Sequence, residues 1–270
     1  MDAASLDTLI VNYAAGGSSR PIEAFLTRDS RLPGPRANLE LAERFSNLLR
    51  DACPMGRAVH LLESFASVSP EAAGTNEPAV FLPFVGAQTA GALYLHANSS
   101  ERAVLLRVIR NAANDPRWRV REGAAMGLQR IGDLSFSELL GVLQDWSNDA
   151  SLYELRAVVA ALAEPRLLGD PSAILLAWPF AESALGRLHE CPVTERRTPD
   201  FIALRKGLEY ALSVLVAADP ETGFARLREF AEIQDKDVKR VIQENLKKKR
   251  LAGRYPQQTK VVQSILDQMT

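Results

Sequence analysis

Two cysteines, Cys53 and Cys191, and three histidines are all that the 270 residues hold of soft metal-ligating chemistry. That is too little for a disulfide framework or a structural zinc site. His189-Glu190-Cys191-Pro192 opens like a zinc-deaminase signature, but the paired cysteines that would complete the tetrahedron do not occur. Neither G-x-x-x-x-G-K-[ST] nor G-x-G-x-x-G is present, so nucleotide-dependent catalysis has no footing, and nothing places a Ser or Cys beside a base and an orienting acid. No cofactor and no metal are therefore expected. Runs of β-branched and aromatic residues closed by Asn-Gly or Asp-Gly turns are also missing. Charge has no excess of one sign: 32 basic residues stand against 33 acidic, a net of −1, so a polyanion could be met only by a local segment. The strongest apolar run, residues 79–95, is interrupted by Pro83, Gly86, Gln88, Thr89 and Gly91 and falls short of a bilayer span. It reads as a buried helix whose glycines let a neighbouring backbone approach closely. Residues 1–10 carry Asp2 and Asp7 in place of a basic, apolar leader, and the expectation is a cytoplasmic protein with no membrane partner.

What is present is helical. Ser69-Pro70, Asp115-Pro116, Asp170-Pro171, Thr198-Pro199 and Asp219-Pro220 each pair a capping side chain with a proline suited to the first helical position. Ser135 with Glu138 forms a sixth start, a capping box. Leu41, Phe45, Leu48 and Leu49 make an amphipathic stripe, as do Leu152, Leu155, Val159 and Leu162. The chain reads as all-α.

One pattern recurs: an aliphatic residue, a basic residue, then apolar positions four and eight after the first. Val120-Arg121, Leu155-Arg156, Leu204-Arg205 and Val238-Lys239 begin the four copies, spaced by 35, 49 and 34 residues. The longer interval predicts an insertion around residues 191–198. The segment from Asp115 through Trp118, Arg121 and Ala124 to Leu128 and Asp133 resembles the second helix of a HEAT repeat. That resemblance implies an α-solenoid of about five helical hairpins over residues 38–270, and an aspartate–arginine ladder with Asp115 and Arg121 in the matching positions. Asn148 or Asp149 with Arg156, and Asp200 with Arg205, resemble the same pair less closely. Residues 1–37 form a separate N-terminal arm or cap, broken by Gly16-Gly17-Ser18-Ser19 and by Leu32-Pro33-Gly34-Pro35. Hiding the apolar end of the array is the simpler role for it; an arm that contacts a ligand or second subunit is the alternative.

The sharpest charge feature is residues 236–254, where Lys236, Lys239, Arg240, Lys247, Lys248, Lys249, Arg250 and Arg254 face only Asp237 and Glu244. The segment carries +6 and the rest of the chain −7. On one continuous helix Lys239, Gln243, Lys247 and Arg250 share a face and can follow a phosphate backbone. The bland alternative is a set of solvated lysines that complement a helix dipole. Here the chain is distantly similar to HEAT-like-repeat alkylpurine DNA glycosylases, through Trp118 to Arg121 with Ala124 and Gln129, and through Val238-Lys239-Arg240-Val241-Ile242. The resemblance implies DNA held on a basic face and excision of alkylated bases. The family's upstream Trp-Asp element has no counterpart, since residues 65–113 contain no tryptophan, and Glu244 stands where the family has a tryptophan. Excision is therefore not expected.

Trp146 and Trp178 fall in apolar stripes and are expected in the core; Trp118 is expected to pack between the helices of its own hairpin, a solvent-facing ring available for stacking being the alternative. Arg121 reads more readily as a ladder residue than as a ligand contact. The functional expectation is a non-catalytic scaffold that binds an acidic protein segment or a nucleic-acid backbone. Trp118, Arg119, Arg121, Lys239, Arg240, Lys247 and Arg250 are its candidate binding residues; a divergent glycosylase is the alternative.

Overall fold

Fifteen α-helices and four short 3-10 turns make up the structure, a computed structural model that describes residues 4–147 and 149–268, and no strand occurs among the described residues. Packing divides the chain into two units, Met1–Ser135 and Phe136–Thr270.

The first unit holds α1 (Leu6–Ala14), α2 (Arg20–Arg28), α3 (Leu39–Ala52), α4 (Met55–Ala66), α5 (Phe81–Leu93), α6 (Ser99–Ala113) and α7 (Trp118–Leu134). α5 is its centre, packed by α3, α4, α6 and α7, and every residue of it except Ala92 is buried. Its closest neighbour is α7. A Cβ added at Gly91 would overlap the Gly127 carbonyl, and one at Gly123 would lie 2.5 Å from the Phe84 carbonyl oxygen. The two backbones therefore touch directly, as the glycines of the apolar run led us to expect. The run read as too short for a bilayer is extended by its flanking turns: Pro78–His96 is the one stretch among the described residues long and apolar enough to cross a membrane, and 78% of that window is buried. α1 and α2 are packed: Leu6, Ile10, Tyr13, Ile22 and Leu26 are buried, and the Tyr13 hydroxyl donates to the Arg57 carbonyl at 3.0 Å.

The second unit holds α8 (Phe136–Ser147), α9 (Leu152–Leu162), α10 (Pro171–Glu190), α11 (Pro199–Ala218), α12 (Pro220–Ala231), α13 (Lys236–Leu246), α14 (Lys249–Ala252) and α15 (Pro256–Gln268). α11 is central, touched by α9, α10, α12, α13 and α14. Asn245, fully buried on α13, locks onto it. The Asn245 amide donates to the Leu208 and Val241 carbonyls at 2.7 Å each, and its Oδ1 accepts from the Ser213 backbone N–H at 2.7 Å. The extra length between the second and third pattern copies lies partly in α10, 20 residues against 12 in α8, and not only in residues 191–198.

The proline signals locate three helix starts to the residue, at Pro171, Pro199 and Pro220, and α8 begins at Phe136 beside the predicted capping box. Two signals behave differently. After Asp115-Pro116 the helix begins only at Trp118, with Arg117 as its N-cap; the Asp115 carboxylate accepts from the Arg117 N–H at 2.7 Å, ahead of the helix. Ser69-Pro70 opens a turn and no helix. The carbonyls of Val68, Ser69 and Ala73 are accepting from the Arg117 guanidinium at 2.8, 3.1 and 3.0 Å.

Candidate anion-binding face

Three of the expected binding residues lie at the start of α7, and the fold uses their cations itself. Arg117 is buried against Asp115 in a two-pronged pair, Nε to Oδ1 at 2.8 Å and Nη2 to Oδ2 at 2.6 Å. Arg119 is 4% exposed; its guanidinium donates to the Thr75 carbonyl at 3.0 Å and to the Gly34 carbonyl, and it sits 4.3 Å from the Trp118 ring centroid. Arg121 reaches back to the carbonyls of Asp115 and Pro116 at 2.5 and 2.8 Å. Arg119 thus fastens the loops around Gly34 and Thr75 and is not presented to a ligand. Trp118 does not fill an inter-helix layer: it is 44% exposed, with the Arg119 guanidinium against its ring. Trp146 and Trp178 are buried as expected.

Two aspartates of the expected ladder, Asp115 and Asp200, hold neighbours in the chain. The Asp115 carboxylate holds Arg117, and the Asp200 carboxylate accepts from the Phe201 N–H at 2.9 Å while Arg205 donates to Asp237 at 2.7 Å. Positions five apart on one helix lie about 140° apart around its axis, so Asp200 and Arg205 point different ways. Asn148 lies outside the described residues.

The remaining candidates, Lys239, Arg240, Lys247 and Arg250, lie in the second unit, but they do not share one helix face. α13 ends at Leu246 with Lys247 as its cap, Lys248 is extended (φ −67°, ψ 132°), and α14 starts afresh at Lys249. The apolar register explains the break. Val238, Val241, Ile242 and Leu246 keep the buried stripe, and the next buried apolar residue, Leu251, comes five positions on, about 140° off the stripe of a straight helix. Turning the chain at Lys247-Lys248 buries Leu251 as well.

Each cation then has a definite setting. The Lys239 ammonium donates to the Leu266 carbonyl at 2.9 Å, tying α13 to α15. Arg240 pairs with Glu209 of α11 at 2.9 Å. Lys247 pairs with Glu244 at 2.6 Å, and that hydrogen bond holds the Glu244 carboxyl below the usual carboxylate range. Arg250 has no carboxylate partner among the described residues: its Nη2 donates to the Tyr210 hydroxyl at 2.7 Å and its guanidinium carbon lies 4.6 Å from the Tyr210 ring centroid. Tyr210 is 46% exposed on α11, one turn beyond the exposed Lys206.

A buried ion network fixes α13 in this position. Asp235 caps α13 by accepting from the Asp237 and Val238 N–H groups at 2.8 and 3.1 Å, and it receives Arg196 at 2.6 Å. Asp237 receives Arg205 of α11 at 2.7 Å and Arg196 at 3.2 Å. Burial works to raise the Asp235 carboxyl, but the Arg196 guanidinium and the two N–H groups outweigh it, and its pKa lies below the ordinary value. Asp235 accordingly raises that of Arg196.

Lys206, Tyr210 and Glu209 were not singled out from the sequence. Their signal is there, since Lys206 and Tyr210 stand four apart on α11, off the stripe of Leu204, Leu208 and Leu212. The second unit also carries a groove of about 520 Å³ between α8 and α10, lined by uncharged residues that include Leu140, Gln144, Leu176, Phe180 and Ser183. Among the described residues no cluster of His, Cys, Asp and Glu could hold a metal ion. No family model, curated protein or solved structure matches the chain.

Proposed function

We propose that the chain is a non-catalytic binding scaffold, a HEAT-like stack of helical hairpins, whose basic face on α11, α13 and α14 docks an anionic macromolecule. The observation that carries this reading is the corner between α13 and α14, where Lys248, Lys249 and Arg250 follow one another without a carboxylate partner among the described residues, on a chain of net charge −1. A segment that basic, held in place by Asn245 and the Arg196–Asp235 pair, is a steering and docking surface for negative charge. Base excision is the weaker reading. Glu244 occupies the position of the resembled family's tryptophan, and its ion pair with Lys247 puts a carboxylate where phosphate would pass.

The test is binding of a polyglutamate peptide and of a nonspecific duplex DNA at two salt concentrations. Affinity for at least one should fall steeply with salt, and charge reversal of Lys247, Lys248 and Arg250 should flatten the dependence. No binding to either at low salt overturns the proposal. Release of free base from alkylated DNA above background overturns its non-catalytic part.

A further inference from the structure

We infer that the anion this face selects is the carboxylate of an acidic peptide, seated on Arg250 against Tyr210. The inference rests on the docking role proposed above and names the partner's chemistry. The Arg250 side chain is set by an aromatic ring: the guanidinium lies over the Tyr210 ring and spends one N–H on the Tyr210 hydroxyl. A guanidinium has five N–H donors in a planar fork, and a carboxylate accepts two of them in parallel. Holding the fork in advance lowers the ordering cost of binding. The half-exposed Tyr210 ring offers the methylene groups of a peptide an apolar contact beside that fork.

Charge complementarity separates a peptide from a nucleic-acid backbone. Beside the Lys248–Arg250 run the face also carries carboxylates: Glu209, the residue before Tyr210, lies between Arg205 and Arg240, and Glu244 pairs with Lys247. A phosphate backbone presents an unbroken file of anions and would run over these carboxylates. A peptide can place its acidic side chains at Arg250 and Lys206 and neutral residues opposite Glu209 and Glu244.

The experiment compares a fluorescein-labelled peptide of alternating glutamate and glycine with a short duplex DNA, on the full chain and on Tyr210→Ala, Tyr210→Phe and Arg250→Lys, none of which changes the net charge. Circular dichroism of each variant confirms the fold. The peptide should bind more tightly than the duplex. Tyr210→Ala and Arg250→Lys should each weaken peptide binding about ten-fold, and Tyr210→Phe, which keeps the ring and loses the hydroxyl, should fall between. Peptide binding unmoved by all three variants means a diffuse charged surface; it overturns the Arg250 seat and leaves the docking role standing. Tighter duplex binding overturns the choice of peptide. No binding of either probe at low salt removes the docking role itself.

Discussion

Gly91 of α5 abuts the Gly127 backbone of α7, and Gly127 in turn abuts the Ala87 carbonyl of α5, so that neither position has room for a methyl group. Gly91→Ala should cost about 3 kcal/mol, because the atom in the way is a main-chain carbonyl that cannot rotate aside. Gly141→Ala and Gly186→Ala are the controls. Both glycines lie in helices with nothing within 4 Å of the added Cβ, and both changes should stabilise by about 0.5–1 kcal/mol. Urea unfolding followed by circular dichroism measures all three. A neutral Gly91→Ala would mean that α5 and α7 are not in contact there.

Replacing Asn245 by alanine removes its bonds to the Ser213 N–H and the Leu208 carbonyl and leaves a void in a buried layer. The expected loss is about 3 kcal/mol, measured by chemical denaturation, and α13 should exchange its amide hydrogens faster than α11.

Arg117 holds the segment between α4 and α5 through three carbonyls. Arg117→Ala leaves the partly buried Asp115 carboxylate without its guanidinium and frees three loop carbonyls, and should lower stability by about 2 kcal/mol and open residues 67–77 to limited proteolysis. Trp118→Ala, at an exposed ring, should change stability by less than about 1 kcal/mol.

The Asp235 carboxyl is depressed in the folded protein, so the folded state binds this proton less readily than the unfolded chain does. Its contribution is fully present above the unfolded carboxylate pKa and is lost as pH falls through the lower, folded value. Thermal melts between neutral and acid pH should show stability dropping in that window, and Asp235→Asn should flatten the drop. An equally steep fall in the variant would mean that other carboxylates carry the acid sensitivity.

The all-helical class was legible because the prolines after Asp170, Thr198 and Asp219 act locally, through a fixed φ and, at Asp170 and Asp219, a capped N–H, and need no knowledge of what packs above them. The buried helix of residues 81–93 was legible from its uniform apolarity. The site was only partly so. Arg119 and Arg250 look alike as letters, yet the first is spent on carbonyls of Gly34 and Thr75, 85 and 44 residues away in the chain, and the second rests on Tyr210, 40 residues away. Such partners are set by tertiary packing, which no local pattern encodes. The break at Lys248 had a readable cause in the five-residue step from Leu246 to Leu251, a change of apolar register easily hidden by four consecutive basic residues.

That corner has an electrostatic consequence. On one unbroken rod Lys247 and Arg250 would stack a turn apart and repel each other along the same edge. Bending the chain splays them onto separate struts, so a dense knot of like charge is tolerated without fraying the helix that leads into it.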